Sequence, residues 1–176
     1  MILHIFARIA TGKNSMLILF LIHIFIGFLM NITARNLTGF IPDVWFGIKE
    51  DELRDLFEKT WDDTERKLYV KVALLDVWGY TPTYFLLIGS CLYLLARKAR
   101  VSLKVSLFIV LAFISDLIEN MTFFYFLYAP NPYWKLVFIS NIANRVKWIT
   151  LAVICLGMFP FLLVKSTSIP ENKKQI

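Results

Sequence analysis

Two carboxylates and an amide lie three and four residues apart in the otherwise apolar segment 105–128: Asp116, Glu119 and Asn120. In an α-helix this spacing places all three side chains on one face. Inside a bilayer each ionisable group costs about 2.5 to 3.5 kcal/mol on insertion scales, so these groups need partners within the protein. A carboxyl that keeps its proton there could act as a general acid or base. We therefore predict Asp116, Glu119 and Asp76 as candidate catalytic residues.

Two further segments carry polar side chains at helical spacing. Asp76, Tyr80 and Thr83 follow the i, i+4, i+7 pattern of a single helix face. A second polar face, with Lys147 at its edge, is formed by Asn141, Asn144, Arg145 and Trp148. Across the three faces, three acids stand against two bases, so the charges nearly balance.

This balance allows two interpretations. In the first, the polar faces line a cavity that opens toward the outer leaflet and holds a lipid or another hydrophobic small molecule, on which the acids could act as general acids or bases. The ligand-binding residues are then Asn120, Tyr80, Tyr84, Asn141, Asn144, Arg145, Lys147, Trp148 and His23. In the second, the charges form buried ion pairs that fix the helices in register. A proton-coupled transporter that uses the same acids as a relay is a third possibility.

His23 lies near the middle of the first apolar segment. It could relay protons or bind a ligand, or it could be a neutral histidine that is hydrogen-bonded to a neighbouring helix. Because His4 is the other histidine of the chain, and Cys91 and Cys155 lie inside apolar segments, no metal-ligand constellation is present in the sequence. We predict neither a metal site nor a cofactor.

Four apolar segments must position these side chains. They cover residues 16–32, 77–96, 105–128 and 136–164, and each is long enough to cross a bilayer. A hydrophobic content of 58% and a mean hydropathy of +0.63 exceed the values of soluble domains. We predict an all-α polytopic membrane protein, a single domain of residues 1–176 built as a four-helix transmembrane bundle. Pro82 removes a backbone hydrogen bond from the second segment and predicts a kink there.

The loop 33–75 between the first two spans is long for a simple connection. Residues 50–59 carry Leu53, Leu56 and Phe57 on one helical face and charges on the other, which predicts an amphipathic helix on the bundle mouth or the membrane surface. That helix could also dock a protein partner, as in an assembly or accessory subunit. Asp62 offers an N-cap for a further helix that runs into the second span.

The net charge of +6 indicates orientation rather than nucleic-acid binding. Positive residues concentrate in three segments, which must share one side of the membrane: Arg8 and Lys13; Arg97, Lys98, Arg100 and Lys104; Lys165, Lys173 and Lys174. By the positive-inside rule this side is cytoplasmic, so both termini are predicted to be inside and the loop 33–75 outside. The host membrane would be the plasma membrane in a prokaryote. In a eukaryote it would be the endoplasmic reticulum, because Lys173 and Lys174 resemble a dilysine retrieval signal.

A family resemblance rests on five parts of the chain: Arg66 to Tyr69, Asp76, Tyr84, Asp116 to Asn120 and Lys147. In these parts the chain resembles a group of small, uncharacterised four-span membrane proteins, mostly prokaryotic, that carry an Asp-Leu-x-Glu-Asn helix. That resemblance covers residues 52–157 and implies the four-span plan but no activity. Four spans with inner termini and membrane acids also resemble the EXPERA group of sterol isomerases and sterol-binding proteins. This second resemblance implies that a membrane carboxylate shuttles a proton to or from a steroid carbon while Trp148 or another partner stabilises the developing charge.

Overall fold

The computed structural model describes residues 1–38, 47–129 and 132–168, and every regular element within them is helical. The predicted all-α class is therefore confirmed for these residues. The described residues form six helices: α1 (Ile2–Thr11), α2 (Ser15–Ala34), α3 (Glu50–Asp55, continued by a π-helical turn at Leu56–Thr60), α4 (Asp63–Lys98), α5 (Leu103–Tyr128) and α6 (Trp134–Ser168). Four of them, α2, α4, α5 and α6, are long and apolar enough to cross a membrane, as predicted. The predicted retrieval signal at Lys173 and Lys174 lies outside the described residues.

Helix α4 begins where the sequence predicts a cap. One Asp62 carboxylate oxygen accepts hydrogen bonds from the backbone N–H groups of Thr64 and Glu65, each at 2.8 Å. The Glu65 carboxylate in turn accepts from the backbone N–H of Asp62 at 3.1 Å, which completes a capping box. Glu65 also accepts from the backbone N–H and the hydroxyl of Thr38, so the start of α4 anchors the segment that follows α2.

Two prolines inside long helices are preceded by π-helical segments. In α4 the segment Asp76–Tyr80 ends two residues before Pro82, and in α6 the segment Val153–Met158 ends two residues before Pro160. A proline cannot donate a backbone hydrogen bond, and its ring crowds the carbonyl four residues earlier. Widening the preceding turn by one residue relieves this crowding. The sequence predicted a kink at Pro82, and the structure shows a wider, π-helical turn before this proline.

The helices pack around two apolar clusters at opposite ends of the bundle. The cluster at the α3 end contains Leu53, Phe57, Tyr69, Phe123 and Trp134, and the cluster at the α1 end contains Phe6, Leu92, Ile109, Ile154 and Leu162. Phe6 of α1 fits against Gly89 of α4 so closely that a Cβ atom at Gly89 would lie 2.2 Å from the ring. Only glycine at this position allows α1 to dock in this way.

The amphipathic segment 50–59 lies on the bundle mouth. Leu53, Leu56 and Phe57 are buried in the cluster at the α3 end, while ion pairs run along the exposed side of the same helix. The predicted periodicity is thus confirmed. Because the apolar face is buried within the chain, a protein partner at this helix would meet the charged side.

Candidate functional site

The three predicted acids lie together between the two apolar clusters. Asp76 of α4 and Asp116 and Glu119 of α5 have exposed fractions of 6%, 3% and 0%. Each carboxylate is therefore removed from solvent and from the surface of the bundle. Such groups persist only where charged or hydrogen-bonding partners surround them.

Lys147 of α6 supplies the positive charge. Its Nζ donates to Asp116 Oδ1 at 3.0 Å and to Glu119 Oε2 at 2.5 Å. Asn144, one turn earlier on α6, donates through Nδ2 to the second Glu119 oxygen. Both contacts to Glu119 come from α6, so this acid joins α5 to α6.

Arg145 does not join Lys147 as a second buried base. It is exposed on α6, with its guanidinium beside Gly47. The interior face of α6 instead contains Ser140, Asn144 and Lys147. The sequence analysis placed Lys147 at the edge of this face, whereas the structure places it at the centre. Among the described residues, the buried cluster therefore holds three acids and one base.

Thr81 connects two of the acids. Its fully buried Oγ1 lies 2.9 Å from Asp76 Oδ1 and 2.6 Å from Asp116 Oδ2. A hydroxyl has one hydrogen and can donate it to only one of these oxygens. If both carboxylates were ionised, one of the two oxygen–oxygen contacts at Thr81 would have no hydrogen between its atoms. If one carboxyl were protonated, it could donate to Thr81 while Thr81 donates to the other, so that each contact is a hydrogen bond. The geometry thus suits a cluster that holds a proton.

Thr81 was missed by the sequence analysis, which placed Tyr80 and Thr83 on the interior face with Asp76. The π-helical turn that follows Asp76 adds one residue and shifts the face, so that Thr81 and Tyr84 reach the acids instead. Tyr84 donates its hydroxyl to Asp116 Oδ2 at 3.0 Å. Pro82 was the signal in the sequence that could have indicated this shift.

Asn120 completes the cluster from α5. Its Nδ2 donates to Asp76 Oδ2 and to the backbone carbonyl of Asp116, each at 3.0 Å. We name the following eight residues the acid cluster: Asp76, Thr81, Tyr84, Asp116, Glu119, Asn120, Asn144 and Lys147. Its hydrogen bonds connect α4, α5 and α6 at one level of the bundle.

His23 and Tyr80 lie at the contact between α2 and α4. His23 Nδ1 is 2.9 Å from the hydroxyl oxygen of Thr83, and its ring stacks on Tyr80 with centroids 4.2 Å apart. Among the interpretations given for His23, the structure shows a histidine that is hydrogen-bonded to a neighbouring helix, α4. Neither residue makes a described hydrogen bond to the acids, so the ligand-binding role of each stays a prediction.

Asn141 and Trp148 also lie outside the acid cluster. Asn141 donates to the backbone carbonyl of Ile48 at 2.8 Å and so fastens the loop before α3 to α6. Trp148 is partly exposed, with its ring 5.8 Å from Lys147 Nζ. The sequence correctly assigned both to α6 but could not show which neighbours they meet.

Two cavities are described, and no residue of the acid cluster lines either. The larger, about 390 Å³, is an open apolar groove between α5 and α6. The smaller, about 150 Å³, lies at the α3 end, and we name it the interfacial cavity. Its lining residues are Phe57, Glu58, Arg66, Phe126, Leu127, Ala129, Pro132 and Trp134. The sequence analysis did not predict Glu58 or Arg66 as site residues.

Metal binding has no candidate among the described residues, because no three His, Cys, Asp or Glu side chains come together as a ligand set. No protein-family model, curated protein or solved structure matches the chain. The two resemblances given above therefore stay predictions.

Proposed function

We propose that this chain is an integral membrane protein that binds a lipid or another hydrophobic small molecule at the non-cytosolic end of its bundle, with the acid cluster holding the helices around the site. The observation that carries the proposal is the interfacial cavity. It combines aromatic side chains with two oppositely charged ones at the end of membrane-spanning helices. The accessible wall of this cavity is mainly polar, which suits the polar end of an amphipathic ligand, and a few placed polar groups are what orient a ligand in its site.

The position of the cavity favours a ligand from the membrane. Phe126 lies in the last turn of α5 and Trp134 begins α6, so the cavity is at the level where the spans leave the hydrocarbon. Aromatic side chains are enriched at this depth in membrane proteins. A volume of about 150 Å³ is below the usual range for a whole drug-sized ligand. The cavity would therefore hold one end of the ligand while the rest extends along the bundle.

The acid cluster supports the cavity from below. Phe126 follows Glu119 by seven residues on α5, a rise of about 10 Å. Buried Tyr69 and Phe123 pack between the two sites. A reaction at the carboxylates would require this aromatic layer to open. The cluster thus acts first as a connection between helices, and the catalytic roles of Asp76, Asp116 and Glu119 stay a prediction.

Native mass spectrometry of protein purified in mild detergent tests the proposal. We expect a lipid-sized molecule to stay bound to the unmodified protein and to be lost from Ala129→Phe, which fills the cavity. Ala152→Phe is the matched control, because Ala152 is exposed on α6 away from the cavity. Equal retention by all three proteins, or no bound molecule in any, would refute the proposal.

A proton-coupled function is the second candidate, and the position of Thr81 between two carboxylates favours it. Proteoliposomes that contain a pH-sensitive dye would report proton entry after an external acid pulse. We expect entry above that of protein-free vesicles, and we expect Asp76→Asn, which removes one of the two carboxylates at Thr81, to abolish it. Proton entry at the protein-free rate would exclude this candidate.

A further inference from the structure

The interfacial cavity is lined by two opposite charges that do not pair with each other. Glu58 comes from the π-helical turn that ends α3, and Arg66 comes from the beginning of α4. Most of the other charges of α3 form ion pairs along the helix, whereas neither Glu58 nor Arg66 belongs to an ion pair among the described residues. Two separated charges of opposite sign on one cavity suit a ligand that carries both signs.

Arg66 is suited to the negative part of such a ligand. Its Nε atom is buried and has no hydrogen-bond acceptor among the described residues. A buried donor without an acceptor is unfavourable, so an anion that reaches this nitrogen is favoured. The planar guanidinium matches the oxygen geometry of phosphate better than an ammonium does.

Glu58 is suited to the positive part. Its carboxylate is at the exposed rim, and the ring of neighbouring Phe57 lies at the cavity wall. A carboxylate next to an aromatic ring attracts an ammonium group by charge and by the cation–π interaction. Trp134 already stacks on Phe126, with centroids 5.1 Å apart, and receives Arg54 at 5.6 Å from its ring. Phe57 is likewise buried and packs on Trp61, Tyr69 and Trp134, so the Glu58 carboxylate is the group that would meet the ammonium.

We infer that the interfacial cavity binds a zwitterionic head that joins a phosphate to an ammonium, with the phosphate at Arg66 and the ammonium at Glu58. The inference rests on the proposed lipid-binding function and names the head of the ligand. At the depth where the spans end, the abundant molecules with this chemistry are phospholipids. A volume of about 150 Å³ is enough for a benzene-sized group, so this cavity has room for the head and leaves the acyl chains outside.

Binding of defined lipids in detergent tests the inference. We expect the unmodified protein to bind phosphatidylethanolamine or phosphatidylcholine at least about tenfold more tightly than phosphatidylglycerol, which has the phosphate but no ammonium. Loss of one charge-assisted hydrogen bond corresponds to about a tenfold change in affinity. Arg66→Gln should therefore weaken all three lipids by about tenfold. Glu58→Gln should weaken only the two zwitterionic lipids and so remove the preference.

Matched controls separate these effects from general damage. Lys67→Gln removes the neighbouring exposed positive charge and Asp51→Asn an exposed negative charge of α3, and neither residue lines the cavity. Both should bind like the unmodified protein. Arg66→Lys retains the charge, so it should fold if Arg66→Gln does not, and it should keep part of the affinity. Circular dichroism and gel filtration check each variant.

Each outcome of the binding experiments either supports or overturns the inference. If soluble phosphoethanolamine binds to the unmodified protein and not to Arg66→Gln, the inferred head chemistry is supported, and the ligand is a free zwitterion rather than a lipid. Binding of the intact lipids alone, with the expected preference, would support a membrane source. Equal binding of all three lipids, unchanged in both variants, would overturn the inference and leave the proposed function standing. Absence of any lipid binding would overturn both.

Discussion

Replacing Asp116 by asparagine should cost far more stability than the same replacement at Asp76. Asp116 accepts hydrogen bonds from Lys147 at 3.0 Å, Thr81 at 2.6 Å and Tyr84 at 3.0 Å. An asparagine carries no charge, so Glu119 alone would balance the Lys147 ammonium, and the new Nδ2 would face either that ammonium or the two hydroxyls. Removing one partner of a buried ion pair typically costs about 3 to 5 kcal/mol.

Asp76→Asn should be tolerated. An amide nitrogen at the position of Oδ1 can donate to Thr81, and an amide oxygen at the position of Oδ2 can accept from Asn120, as the two oxygens are placed now. Thr81 then keeps its hydrogen for Asp116. The variant imitates a protonated carboxyl, so we expect a loss of about 1 kcal/mol or less.

Unfolding in mixed micelles of increasing denaturing-detergent content, followed by circular dichroism, would measure both costs. Asp55→Asn on the exposed side of α3 is a control for the chemical change itself. A difference of at least about 2 kcal/mol between the two buried variants is expected from the magnitudes above. If Asp76→Asn is as damaging as Asp116→Asn, the cluster does not hold its proton at Asp76 and the hydrogen-bond assignment at Thr81 is wrong.

Three further predictions follow from the packing. Lys147→Met should destabilise the protein by about 3 to 5 kcal/mol in the same unfolding measurement, because it leaves two buried carboxylates without their cation; Arg145→Met, at an exposed site on the same helix, should cost under about 1 kcal/mol. Gly89→Ala should release α1 and speed its proteolysis, and the added change Phe6→Leu should slow the cleavage again; equal cleavage in both variants would contradict the contact. A cysteine at Lys59, in a chain without its native cysteines, should react with an impermeant reagent added from the non-cytosolic side, and reaction from the cytosolic side would reverse the predicted orientation.

The sequence alone determined the features that depend on neighbouring residues. The apolar runs predicted the four long helices, and the i, i+3, i+4 spacing of Asp116, Glu119 and Asn120 predicted one acidic face on α5. Asp62 predicted the start of α4 as its N-cap. These predictions succeed because helix formation and capping are decided within a few residues of the chain.

Only the tertiary structure decided which side chains meet. Spacing placed Arg145 and Lys147 near one face of α6, but the rotation of that helix against α5 buries Lys147 and exposes Arg145. On α4 one additional residue in the turn before Pro82 brought Thr81 to the acids in place of Tyr80. The shift on α4 had a local signal in Pro82, but a rotation of one helix against another changes no local pattern, so its energy appears only when the helices pack.

The interfacial cavity illustrates the same division. Glu58 and Arg66 belong to different helices, and the local sequence around each residue predicts only an ordinary exposed charge. They face one space because α3 folds back over the bundle mouth and buries Leu53 and Phe57 against α4, α5 and the start of α6. Local chemistry thus fixed which helices form and which faces are polar. Burial of apolar surface between helices, a property of the whole chain, fixed which polar groups share a site.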